Sequence, residues 1–166
     1  MSQSIDIAVI GATGTVGETL VQILEERDFP IGTLHLLASS ESAGSSVPFR
    51  GKNVRVREVD EFDFSKVQLA FFAAGPAVSL SFASRATDAG CSVIDLSGAL
   101  PAEKAPQVVP EANAQVLAGL KKPFQVSSPS PSATTLAVVL APLMDLLDLQ
   151  RISLTASLAV SAQGRE

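Results

Sequence analysis

Tyrosine and tryptophan are absent from the 166 residues, and cysteine and histidine occur once each, at Cys91 and His35. A single cysteine leaves no internal disulfide and fits a reducing compartment. One thiol and one imidazole offer little for a zinc or transition-metal centre, so no metal is expected. Charge is sparse as well: 17% of residues are charged and the formal net charge is −5. An acidic chain whose 12 basic residues form no stripe lacks a nucleic-acid footprint. No apolar run reaches the roughly 18 residues that span a bilayer, so no membrane partner is expected. Met1-Ser2-Gln3-Ser4 leads into an apolar stretch without a basic segment or a cleavage site. That predicts no secretory signal and a cytoplasmic protein.

Core-forming residues are plentiful, at 46% hydrophobic, enough for one packed domain and the start of another. Apolar runs alternate with helix-period segments, the pattern of βα units around a parallel sheet. Ile5–Ile10 reads as a central strand buried on both faces. The next segment sets Val16, Leu20, Ile23 and Leu24 on one helical face, closed by Phe29-Pro30. Leu34–Ala38 predicts a second strand, Ser39–Ser46 a polar loop, and Val54–Val59 a third strand nearer an edge. Leu69–Ala74 predicts another buried strand, and 78–89 a helix with Val78, Phe82 and Ala86 four apart. Gly90 is its expected C-cap, and Val93–Leu96 follows as a strand. Pro101–Pro110 reads as loop, and Phe124–Ser127 is followed by the unusual run Ser128-Pro129-Ser130-Pro131-Ser132.

A long helix is predicted from Ser132, with Leu136, Val139, Leu140, Leu143 and Leu147 on one face and Pro142 inside it. From Ile152 to Val160 the period changes to two, as in a sheet covered on one side. The expected division is therefore 1–131 as one α/β domain and 132–166 as the opening helix and strand of a second, incomplete one.

Gly11-Ala12-Thr13-Gly14-Thr15-Val16-Gly17 forms a GxxGxxG turn at the end of a strand and the start of a helix. Glycines there let a pyrophosphate approach backbone N–H groups at a helix N-terminus. A turn that merely packs helix on strand is the bland alternative; the strand–turn–helix context favours dinucleotide binding. Short-chain-type reductases share such spacing but use a tyrosine acid, which this chain lacks.

From Gly11 onward the chain resembles the aspartate-semialdehyde dehydrogenases. The resemblance runs through Gly11–Gly17, Leu24-Glu25-Glu26-Arg27-Asp28-Phe29-Pro30, Leu36-Leu37-Ala38-Ser39 and Phe72-Ala73-Ala74-Gly75. It continues through Gly90-Cys91-Ser92-Val93-Ile94-Asp95, Val108-Val109-Pro110-Glu111-Ala112-Asn113, Leu140-Ala141-Pro142-Leu143 and Ala159-Val160-Ser161. It covers nearly the whole chain in order, and corresponds to the N-terminal half of such enzymes. It implies a Rossmann-like parallel sheet with helices on both faces, followed by the start of an α/β substrate and dimerisation domain. It also implies NAD or NADP as cofactor, homodimers at full length, and reduction of an acyl phosphate in amino-acid biosynthesis through a cysteine thioester. The cofactor positions it assigns are Gly11, Ala12, Thr13, Gly14, Thr15, Val16, Gly17, Ser39, Glu41, Ser42, Ala74 and Gly75.

Four departures from the family pattern follow. The Asn-Pro-Asn-Cys-Ser-Thr nucleophile motif reads Ser128-Pro129-Ser130-Pro131-Ser132-Ala133, with Pro131 at the cysteine position. The substrate-orienting Gln aligns with Leu158, and the phosphate-gripping Arg with Pro101. The loop Ala-Ser-x-Arg-Ser-x-Gly, which holds the 2′-phosphate of NADP, reads Ala38-Ser39-Ser40-Glu41-Ser42-Ala43-Gly44. A carboxylate at Glu41 opposes that phosphate and suits a free ribose hydroxyl, unless it simply points to solvent. The chain thus resembles the cysteine-lacking, USG-1-type homologues of the family. No catalytic residue is assigned. Cys91 reads as a buried small residue, His35 as a surface or edge residue, and Ser132 as a helix N-cap. Three functions stay open: a non-catalytic dinucleotide binder, an active oxidoreductase with altered chemistry, and a dimerisation or interaction module.

Overall fold

The computed structural model describes residues 4–144 and 146–157. Among these, seven strands form one sheet: β1 (Ile5–Ile10), β2 (Ile31–Ala38), β3 (Ser46–Phe49), β4 (Lys52–Glu58), β5 (Leu69–Phe72), β6 (Ser92–Asp95) and β7 (Gln125–Ser127). Their order is β3-β4-β2-β1-β5-β6-β7, and every neighbouring pair is parallel except β3–β4. With β3 set aside, the parallel strands follow the 3-2-1-4-5-6 order of dinucleotide-binding folds. The expected Rossmann-like sheet is present.

Its two faces explain the apolar run of β1, broken only by Asp6. Ala8 and Ile10 point into one core with Leu37, Phe64, Phe72 and Val93. Ile7 and Val9 point into the other with Val21, Leu24, Leu36 and Phe49. Phe62 and Phe64 meet edge-on at 5.2 Å in the first core. Burying an aromatic of that size contributes about 2–3 kcal/mol.

Helices α1 (Thr15–Glu26) and α2 (Pro76–Asp88) cover opposite faces. The buried stripe of α1 is Gly17, Val21 and Leu24, whereas Val16 and Ile23 are 54% and 41% exposed. This corrects the expected face by one residue. The reason is Gly17: any Cβ there would overlap the Gly11 carbonyl, so only glycine lets α1 close on the turn. In α2 the buried residues are Ser79, Ala83 and Ala86, with Val78 and Phe82 packed at the rim. Gly90 follows the helix with φ +87°, as a terminating glycine should.

The strand expected at Val54–Val59 is β4, which ends at Glu58 and lies near the edge as expected; the edge itself is β3, which the sequence pattern did not disclose. Arg50 and Gly51 form the two-residue turn between β3 and β4 with φ +48° and +71°, the left-handed pair of a type I′ hairpin. Arg50 is an unusual residue there. Its N–H donates to the Glu25 carboxylate at 2.8 Å, and its guanidinium donates to Asp28 at 2.9 Å and the Phe29 carbonyl at 2.8 Å. Those bonds offset the strain and fasten the hairpin to the end of α1.

Short helices α3 (Pro110–Asn113) and α4 (Gln115–Ala118) lie before β7, too brief to leave a periodic signal. Helix α5 (Pro131–Met144) contains Pro142 and starts one residue earlier than expected. Its cap is Ser130, not Ser132: the Ser130 hydroxyl accepts from the Ala133 N–H at 3.4 Å, and its carbonyl from Thr134 at 2.9 Å. Proline at the first helical position has no N–H to forfeit, so it draws the start back to itself. No described residue of α5 is buried, and Val139, Leu143 and Met144 stand exposed along it.

The strand expected at Ile152–Val160 does not form over 151–157, where Ile152 and Leu154 are exposed. An alternating apolar segment becomes a strand only when a neighbour pairs with it. Leu158 and Val160 lie outside the described residues. No helix among the described residues is long and apolar enough to cross a membrane.

Candidate functional site

In this strand order the connections leave β1 and β5 on opposite faces, which opens a crevice above their carboxyl ends. The glycine turn lies there. Gly11 and Ala12 donate their N–H groups to the Leu37 carbonyl at 2.8 and 3.2 Å, tying the turn to the end of β2. On the other side, a Cβ on Gly11 would stand 2.7 Å from the Ala73 carbonyl, and its φ is +79°. Glycine is therefore required twice over at residue 11.

Around this centre the structure gathers all twelve assigned positions. Gly11–Gly17 close β1 and open α1; Ser39, Glu41 and Ser42 follow β2; Ala74 and Gly75 follow β5. The Ser39 carbonyl accepts from Ser42 at 3.1 Å and Ala43 at 3.0 Å, winding a tight turn that leaves Glu41 exposed. Gly75 is the N-cap of α2 and Pro76 its first residue.

The cradle fits a dinucleotide on its own geometry. Helix α1 has no side-chain cap, and the amides of Thr13, Thr15, Val16 and Gly17 meet no acceptor among the described residues. A Cβ on Gly14 would meet only the Gly11 carbonyl, at 3.4 Å, and one on Gly75 would meet nothing within 4 Å. Free N–H groups beside open backbone are what a pyrophosphate uses. Surface clefts of about 250 Å³ beside Arg85 and 360 Å³ beside Lys104 and Phe124 lie elsewhere and touch none of these residues.

Pro101 follows β6 and Pro131 opens α5 after β7, so both positions flank the same end of the sheet. Leu158 is outside the described residues. Cys91 precedes β6 and so lies at the opposite end, fully buried. Burial pushes its thiol up to about 12, far from a reactive thiolate. His35 corrects the expectation of a surface residue: it sits half-buried on an inner strand, its ring 5.2 Å from Phe62. Burial, then the nearby Arg57 charge, lowers its pKa from 6.5, against a smaller opposing pull from Asp6.

Sequence reasoning missed Asp95, which is fully buried at the carboxyl end of β6. Its Oδ1 accepts from the Ser79 hydroxyl at 2.7 Å, the Ser97 hydroxyl at 2.7 Å and the Ser97 N–H at 3.0 Å. Its Oδ2 accepts from Ala99 N–H at 3.1 Å, Leu100 N–H at 3.3 Å and the Ser127 hydroxyl at 3.3 Å. Burial alone would raise its pKa; the hydrogen bonds from Ser97, Ser79 and Leu100 outweigh it and hold the carboxyl below its usual value. The available signal was an aspartate ending an apolar strand with serine two residues on, a local turn former.

Residues 6–120 match the family model described as semialdehyde dehydrogenase, NAD binding domain. A USG-1 protein homolog of Azotobacter vinelandii is 57% identical over 166 residues, covering all of this chain and 49% of that protein. A solved structure of a probable aspartate-semialdehyde dehydrogenase from Pseudomonas aeruginosa has 56% identity and a TM-score of 0.86, over 88% of this chain and 44% of that one. Aspartate semialdehyde dehydrogenase II of Vibrio cholerae, complexed with ASA, has 40% identity and a TM-score of 0.94, over 99% and 49%. The chain thus spans about half the length of the relatives it matches. It belongs to the semialdehyde dehydrogenase family and carries that family's nicotinamide-dinucleotide-binding domain.

Proposed function

We propose that this chain holds NAD at the β1–α1 turn and belongs to a homologue that no longer performs the family's thioester chemistry. The observation that carries the binding half is the cradle of unpaired amides at Thr13, Thr15, Val16 and Gly17 beside the open face of Gly14. In this reading those amides take the pyrophosphate. Glu41 and Ser39 face the adenosine ribose, and Ala74 and Gly75 border the crevice toward the second nucleotide. When bound, the nicotinamide supplies hydride exchange with a substrate carbon.

The loss of thioester chemistry follows from residue type. Pro131 stands at the start of α5, where the family resemblance puts the nucleophile, and a pyrrolidine ring has no nucleophilic atom to offer. The other sulfur that could be considered, Cys91, is buried at the far end of the sheet. The reading includes a division at residues 131/132, a cytoplasmic setting and homodimers at full length. The exposed apolar side of α5 favours a second reading, an interaction module that dimerises through this helix.

Calorimetric titration with NAD and NADP, alongside an assay of the full-length protein with aspartate semialdehyde, phosphate and each cofactor, separates these. NAD binding without turnover is the expected result. Turnover, or an acyl group trapped on the chain, overturns the loss of chemistry; absence of any cofactor binding leaves the interaction module.

A further inference from the structure

Asp95 is the one buried carboxylate among the described residues, and it has no cationic partner there. Six donors serve it instead, drawn from three separate pieces of chain. Ser79 comes from the first turn of α2. Ser97, Ala99 and Leu100 come from the loop after β6. Ser127 ends β7, and the next N–H, from Ser128, donates to the Asp95 carbonyl at 2.8 Å. These three pieces border the crevice on its β5–β6–β7 side. Gly98, with φ +69°, lets the loop fold back over the carboxylate so that its amides point inward.

Register fixes where this knot stands relative to the glycine turn. Ile10 pairs with Phe72, Phe72 with Asp95, and Asp95 with Ser127, one row across the sheet. Asp95 is therefore two strands from the end of β1, about 10 Å away. With the adenosine half on the β2 side, the other nucleotide extends toward this row.

We propose that Asp95 is a positioning residue for the nicotinamide end of the dinucleotide. Its carboxylate locks the 97–100 loop and the β7–α5 junction into the wall against which that end rests, while the adenosine half is held independently at β1 and β2. The inference rests on the dinucleotide reading above. Neither apolar packing nor a cation substitutes for it, because the loop amides aim at two separate carboxylate oxygens.

The test compares NADH with ADP-ribose, which lacks the nicotinamide, on the full chain and on Asp95→Asn. NADH binding is read by the rise in its own fluorescence, and ADP-ribose binding by calorimetry. The expected result is an approximately tenfold loss of NADH affinity with ADP-ribose affinity held within about twofold. A purely structural role would weaken both ligands in parallel, and that result, or no change in either, overturns the proposal. Should Asp95→Asn fail to fold, Ser97→Ala removes one hydroxyl donor from the same knot and is expected to show the same asymmetry at smaller size. A chain that binds neither ligand in its native sequence refutes the dinucleotide reading itself, a distinct outcome.

Discussion

Glu41 is one side chain in an exposed turn, and in the proposed reading it faces the 2′ position of the cofactor, where specificity can be reversed. A carboxylate there repels a 2′-phosphate, and a guanidinium would pair with it. Glu41→Arg is expected to shift the NADP-to-NAD affinity ratio at least about tenfold toward NADP, measured by calorimetry. An unchanged ratio would mean that the residue does not face the ribose. Cys91 offers a second check at this scale. With its thiol pushed up to about 12 and no exposed surface, it should resist alkylation at pH 8 in the native chain and react readily once unfolded. Rapid native labelling would contradict its placement.

At the scale of elements, the central strands and the crevice were legible because their signals are local. An apolar run followed by GxxGxxG specifies β1, the turn and α1 together, since only glycine permits the contacts at residues 11 and 17. The β3–β4 hairpin was not legible. Its turn uses Arg50 where asparagine is usual, and what sustains Arg50 is a set of partners 21 to 25 residues away. Asp95 escaped for the same reason: four of its six donors are local, but Ser79 and Ser127 arrive from 16 and 32 residues off. Leu136, Val139, Leu140 and Leu143 were rightly read as helical, whereas Leu147 lies past the end of α5 at Met144, and a period cannot say whether the stripe is covered. Since Val139 and Met144 are 56% and 65% exposed, replacing both with Glu should leave the melting temperature nearly unchanged. The same change should abolish concentration-dependent self-association in sedimentation velocity. A drop of many degrees would show that they are packed after all.

For the whole molecule, His35 and Asp95 lead the response to acid, and exposed Asp63, whose carboxyl is lowered by hydrogen bonds from Ser65, adds to the Asp95 step. His35 has a folded pKa below 6.5, so the unfolded chain takes up its proton first and stability declines as pH falls below about 6.5. Asp95 has a folded pKa below 3.8, so its contribution is complete above that value and is lost as pH drops through the lower, folded one. Denaturant midpoints should therefore be flat near neutrality, fall once below pH 6.5 and again below pH 4. His35→Phe is expected to remove the first step and Asp95→Asn to shrink the second to the share of Asp63, and a profile with both steps at full size in either variant rules out the assignment.

The sheet's two margins have a consequence for how copies of this chain can meet. One margin is a four-residue strand carrying Pro48, which has no hydrogen to donate, and the other is a three-residue strand already bridged by Gln107. Neither invites a foreign strand to zip alongside. Clustering that does not pass through these margins is left to the greasy exposed side chains of α5 and of 151–157.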